Sequence, residues 1–171
     1  WDYKGKDGAY AKGSHLTGFP GVYGAATTKT VAELTSILKG SANANHNFST
    51  YLNNEQISAL ADFLKAGAII DDSQYIDYAT KQPKSADAAK GKQLFDSICA
   101  ACHGADGKTI NFGSTEEPEY VGTLAADNPW EFIHKVRFGQ PATAMPSGVE
   151  QQRSIQDAVD ILAHAQTLPT K

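Results

Sequence analysis

The chain is expected to be all-α. Two observations point there: several apolar stripes repeat at helical spacing between capping and stop residues, and no stretch alternates with the period of two that a half-buried strand requires. A third observation concerns what lies between the stripes. Residues 1–29, 41–52, 104–126 and 140–148 are rich in Gly, Asn and Thr and read as loop. So much irregular chain in a helical protein needs something besides helices to pack on.

The helices follow in order. In TKTVAELTSILKG, Thr30 caps, Val31, Leu34 and Ile37 or Leu38 form the apolar face, and Gly40 stops the helix. LNNEQISALADFLKAG has Asn53 or Asn54 as cap, Ile57, Leu60, Phe63 and Leu64 on one face, and Gly67 at its end. DSQYIDYATKQ is expected to form a short helix. The polar KQPKSADAAKGKQ, with Pro83, marks a boundary, so the expected domains are 1–80 and 81–171. Ser85 is expected to cap a helix through ADAAKGKQLFDSICAACHG. DNPWEFIHKVRFG has Asn128 as cap, Pro129 at the first helical position and Gly139 just past the end. In the last segment Ile155, Val159 and Leu162 form a stripe with Ile161 beside it, and Pro169 follows.

Composition bounds the function. The 171 residues are 41% hydrophobic and 20% charged, ordinary for a globular protein, with a net charge of −4. An acidic chain is a poor partner for nucleic acid, whose phosphates call for a basic surface. No apolar run approaches the ~20 residues that span a bilayer. The chain opens WDYKGKDG without Met or signal peptide, so any export signal is expected to lie outside it. No Ser/His/Asp set, phosphate loop or paired carboxylates can be argued, which favours a non-enzyme.

Both cysteines stand in SICAACHGADG, residues 97–107, with His103 directly after the second. A disulfide between Cys99 and Cys102 closes too short a loop to stabilise much. A structural zinc site wants four ligands, usually from two separated pairs, and a thioredoxin-like dithiol wants a βαβ setting. Cys-x-x-Cys-His is instead the attachment signature of a c-type haem. Two thiols a helical turn apart reach the two vinyl groups on one porphyrin edge, and the next residue presents its imidazole to the iron. A large flat cofactor would also give the loops a surface to pack on.

A second iron ligand should come from far along the chain. Met145 is the only methionine, in the loop PATAMPSG, stiffened by Pro146, where no helix face needs an apolar side chain. A His/Met pair raises the potential relative to two histidines. His134 and His164 are the rivals, both read as ordinary core or surface histidines.

GKQLFDSICAACHGADGK closely resembles the first helix and haem motif of the class I cytochrome c family. Gly91 and Phe95 match the positions where that family packs its first helix on its last. EPEYVG is similar to its proline loop, NPWEFIHKVRFGQ to its middle helix and AMPSG to its methionine loop, so the likeness covers about 85–171. His164 departs from the pattern, standing where the family usually has an aromatic. The resemblance implies a helical fold around one haem c, with Cys99 and Cys102 as covalent attachments and His103 and Met145 on the iron. It implies that the Pro118 carbonyl accepts a hydrogen bond from His103, that Tyr120 and Trp130 line the pocket, Trp130 near a propionate, and that Arg137 pairs with a propionate or is a plain solvated cation. Electron transfer to transiently docked redox proteins and a periplasmic location follow from the same likeness.

Residues 1–80 hold no cysteine, yet HNFSTYLNNEQISALADFLKAG resembles the end of a cytochrome c domain. WDYKGKDGAYAKGSH resembles the stretch after a CxxCHG motif in some dihaem cytochromes of the family. That likeness implies a first haem-attachment segment upstream, a second haem only if that segment is present, and His46 as its distal ligand, with His15 a weaker rival. A haemless helical domain is the other reading. At ~80 residues it is marginal alone and is expected to dock on 85–171 or on a second copy in a homodimer. Three functions remain open: an electron carrier, a dihaem oxidoreductase acting on a small sulfur or nitrogen compound, and a haemless interaction domain with an incidental CxxCH.

Overall fold

A computed structural model describes residues 1–65 and 69–171; Gly67, the expected helix stop, lies outside them. Every regular element among the described residues is helical, and backbone bridges occur only as isolated pairs: Gly5 with Pro20, Lys39 with Asn47, Ile76 with Pro83. No helix among them is long and apolar enough to cross a membrane. The chain divides into two compact units, Asp2–Asp71 and Trp1 with Asp72–Lys171.

The Asp2–Asp71 unit holds α1 (Tyr23–Thr28), α2 (Val31–Leu38) and α3 (Asn54–Lys65). Thr30 and Glu33 cap α2 reciprocally: the Thr30 hydroxyl accepts the Glu33 N–H at 3.2 Å and the Glu33 carboxylate accepts the Thr30 N–H at 2.8 Å. Asn53 and Gln56 repeat the device on α3, at 2.9 Å each way. Leu34, Leu38, Ile57 and Ala61 form the buried core, with Val31, Leu52, Leu60 and Leu64 packed around it. The helix α1 was not expected from YGAATT, because Gly and Thr are poor helix formers. The end of the helix is bonded from outside it, as the Lys65 ammonium donates to the Ala26 and Thr27 carbonyls at 3.2 Å each.

The second unit takes in residues 72–80 as well as those after the expected boundary. Ile76 is fully buried, Tyr78 sets its ring edge-on to Trp130, and Gln166 donates to the Lys81 carbonyl at 2.8 Å. The short helix expected over 72–82 is only a 3-10 turn, Asp72–Gln74. The Asp77 carboxylate accepts the Ala79 and Thr80 N–H groups, both at 2.9 Å, and that turn competes with helix.

Next come α4 (Ala88–Leu94), one π turn (Phe95–Cys99) and α5 (Ala100–His103), a continuous rod. Asp87, not Ser85, caps it, accepting the Ala89 and Lys90 N–H groups at 3.0 and 2.9 Å. Helix α6 (Val121–Asp127) was read as loop, having no apolar period. It is held from outside its own sequence, where Thr123 donates to the Thr170 carbonyl at 2.7 Å. Then follow α7 (Pro129–Phe138) and α8 (Ile155–Ala165), the latter capped by Ser154 and Asp157.

Helices α4 and α8 cross at Gly91. A Cβ there would sit 1.9 Å from the Asp160 carbonyl oxygen, so only glycine permits the approach. One turn on, Phe95 is buried with its ring edge on His164, centroids 5.3 Å apart. His164 thus fills the aromatic's place. The crossing fixes where the rod ends and the cysteines begin.

Candidate functional site

Cys99 closes the π turn and Cys102 stands on α5, with His103 as its last residue. The π turn inserts one extra residue per turn and so rotates the cysteine segment relative to α4. Both thiols are free, Cys99 half-buried and Cys102 exposed. Burial pushes the Cys99 thiol up to about 11, so it is protonated at neutral pH, the reverse of a redox-active dithiol. The His103 carbonyl accepts the Thr109 N–H at 2.9 Å, which folds the chain back over the motif.

A cavity of about 330 Å³ opens on this segment. Cys99, Cys102, His103 and Met145 all line it, and Ile98, Ile110, Phe112, Val136 and Ile161 make its walls apolar. The fold thus brings the four expected ligand and attachment residues to one place. His103 sets its ring edge-on to Phe112, centroids 5.8 Å apart. Burial lowers its pKa, leaving the imidazole neutral with a lone pair to offer. Its Nδ1 is buried with no hydrogen-bond partner, so the Pro118 carbonyl does not accept from it in this structure.

The methionine loop is stapled to the last turn of α7. Ser147 Oγ and the Val149 N–H both donate to the Arg137 carbonyl, at 3.1 and 2.9 Å, and the Gly148 N–H donates to that of Val136 at 3.2 Å. The Thr143 hydroxyl accepts the Met145 N–H at 3.2 Å. Gly139 starts the loop with φ +71°, and a Cβ there would lie 2.5 Å from the Met145 carbonyl oxygen. Gly139→Ala is therefore expected to cost about 1–3 kcal/mol from strain and crowding and to shift the Met145 loop. Urea denaturation together with the visible spectrum of the haem-loaded protein checks both.

Four expected pocket residues lie elsewhere: Pro118, Tyr120, Trp130 and Arg137 are absent from the cavity wall. Tyr120 precedes α6, with the Lys108 ammonium 5.1 Å from its ring centre. Trp130 is buried against Tyr78, and the Arg137 guanidinium lies 4.7 Å from the Phe138 ring centre. Helix geometry gives the reason. Val136 is the α7 residue that faces the cavity, and at ~100° per residue both Arg137 and Trp130 point well away from it. Arg153 lines the cavity instead. Sequence reasoning missed it, and missed Ile110 and Phe112, although two large apolar residues in a polar loop, 40% and 44% exposed, were a usable signal.

The rival histidines are outside the wall too. His134 lies between the Trp1 and Phe138 rings, centroids 4.8 and 4.9 Å away. Burial first, then the positive charges around it, Lys135 and Arg137 among them, lower its pKa from 6.5 to about 4. The unfolded chain binds the proton more readily across that window, so stability is full above about pH 6.5 and falls as the pH drops toward 4. A loss of about 2 kcal/mol is expected, after allowing for partial exposure. Urea midpoints between pH 7 and 4 should show that slope flattened in His134→Gln. In the other unit His46 is exposed on a 3-10 turn, its Nδ1 paired with Asn43 Nδ2 at 2.7 Å.

Two cysteines, an imidazole and a thioether around one apolar cavity fit a covalently tethered porphyrin, and comparison with known families agrees. The family described as cytochrome c oxidase, cbb3-type, subunit III matches residues 86–164. The match is to a cytochrome c domain and is consistent with the class I cytochrome c family. No curated protein and no solved structure matches the chain. The match begins one residue before the Asp87 cap and ends at His164, so the matched stretch contains the motif, the methionine loop and the α4–α8 crossing. Haem-based electron transfer is the general activity it supports.

Proposed function

We propose that the chain is an electron-transfer protein whose cytochrome c domain holds one haem c, bonded through Cys99 and Cys102 and ligated by His103 and Met145. The observation that carries this reading is that the only methionine and the CxxCH segment, far apart in sequence, line the same cavity. Attachment balances without an oxidant: each S–H adds across a vinyl group, sulfur to the carbon beside the ring and hydrogen to the terminal carbon. The bound haem supplies a one-electron ferrous/ferric couple. Cys99 and Cys102 would tether it, His103 and Met145 would ligate its iron, and the apolar wall would exclude water. The exposed Cys102 side is the edge by which electrons pass to a docked redox protein, an oxidase complex among the candidates by the likeness above. Haem attachment of this kind is completed outside the cytoplasm in bacteria, so an exported, periplasmic location belongs to the same reading. An anaerobic optical titration tests it: a single reversible one-electron step, with no carbon monoxide binding by the ferrous protein, is expected. Rapid carbon monoxide binding would mean an open iron and catalysis or sensing instead.

A second reading makes the chain part of a dihaem oxidoreductase acting on a small sulfur or nitrogen compound. What favours it is the Asp2–Asp71 unit, with its resemblance to the end of a cytochrome c domain, and His46 exposed with Phe48 and Tyr51, 38% and 83% exposed, close after it. On this reading His46 serves a first haem carried by an upstream segment. A second haem signal that His46→Ala abolishes would support it; one haem per chain and an unchanged spectrum in His46→Ala would refute it.

A further inference from the structure

Among the described residues, Arg153 is the one Lys, Arg, Asp or Glu in the cavity wall. It stands just before α8, where the methionine loop ends. Two hydrogen bonds hold it. Its backbone N–H donates to the Gly148 carbonyl at 2.9 Å and its Nε to Gln151 Oε1 at 3.0 Å. No ion pair among the described residues engages this guanidinium. The charge is felt at the attachment site, where it opposes the effect of burial on Cys99. The remaining wall is apolar or neutral, so nothing in it offsets a fixed cation.

We propose that Arg153 sets the charge of the haem pocket, favouring the ferrous over the ferric state and so raising the midpoint potential of the cytochrome c domain. The inference rests on the haem reading above. Ferric iron carries one more positive charge than ferrous iron. A cation held in an apolar wall therefore disfavours oxidation, through a field less screened than in water. Arginine suits the task because it stays charged at every working pH. It acts through space, as a positioning charge and not as a ligand.

The test is the midpoint potential of the haem-loaded full chain and three variants, with the visible spectrum recorded for each. In Arg153→Gln the ferrous-to-ferric ratio at the wild-type midpoint is expected to fall about three- to tenfold, or ~28–59 mV at 59 mV per decade. Arg153→Lys, which keeps the charge, should stay within about twofold, and the gap between Gln and Lys should narrow at 1 M salt as screening shortens to ~3 Å. Gln151→Glu leaves Arg153 in place but gives it a carboxylate partner, and should lower the ratio in the same direction. Unchanged potentials in both Arg153→Gln and Gln151→Glu would overturn the proposal. So would a fall in Arg153→Lys as large as in Arg153→Gln, because shape and not charge would then be the cause. A wild-type protein without covalent haem would defeat the haem reading itself, before any variant is compared.

Discussion

Met145→Ala is expected to leave the haem covalently attached, abolish the iron–sulfur absorption band and lower the midpoint potential by roughly 100–200 mV. The thioether is a soft donor that stabilises the ferrous state, and no other side chain in the cavity wall replaces it. Gln140, Thr143 and Gln151, the neutral polar residues there, are harder donors that favour ferric iron. The same variant opens a coordination position, so ferrous Met145→Ala should bind carbon monoxide where the wild type does not. The effect on folding is expected to be smaller than the effect on potential. The loop keeps its bonds to the Arg137 and Val136 carbonyls, and these do not involve the methionine side chain.

The largest expected effect on stability is at the helix crossing. Phe95→Ala is expected to cost about 3–5 kcal/mol, since it empties a fully buried aromatic site between two helices. Against a typical domain stability of ~5–15 kcal/mol, that is a large share. The site cannot collapse to close the cavity, because Gly91 already brings the α4 backbone against the Asp160 carbonyl. His164 loses its ring partner at the same time. Urea denaturation of the haem-loaded protein, followed by far-UV circular dichroism, measures the loss. A change below ~1 kcal/mol would mean that the crossing does not carry the domain's stability. Because the rod from Ala88 to His103 is continuous, loosening the crossing should also broaden the haem absorbance before unfolding begins.

The parts of the fold that were legible in sequence are those whose causes are local. Thr30, Asn53 and Asn128 each cap their own helix, and Gly40 and Gly139 take up positive φ just past helix ends. The CxxCH segment stood out because the haem-attachment signature has a fixed spacing, and Met145 because a single methionine in a polar loop has no packing role to fill; the structure places both in the wall of one cavity. The helices α1 and α6 were not legible. One is sustained by the Lys65 ammonium on its last carbonyls, the other by the C-terminal residues against which it packs. Residues 72–80 were assigned to the first domain because Pro83 looked like a boundary, whereas Ile76 and Tyr78 bury themselves in the second unit. Arg137, read as a propionate partner or a solvated cation, is absent from the cavity wall, and Arg153 stands in it. Arg137 and Arg153 are the only two in the chain, and which one reaches the cavity depends on the rotation of α7 and the path of the loop after it.

The whole account turns on the bond between sulfur and porphyrin. Mass spectrometry of the purified chain, denatured and treated with an alkylating agent, tests it most directly. The expected result is a chain heavier by one haem, no alkylation, and a haem-bearing peptide that contains Cys99, Cys102 and His103. A haem-free mass with both cysteines alkylated would contradict it.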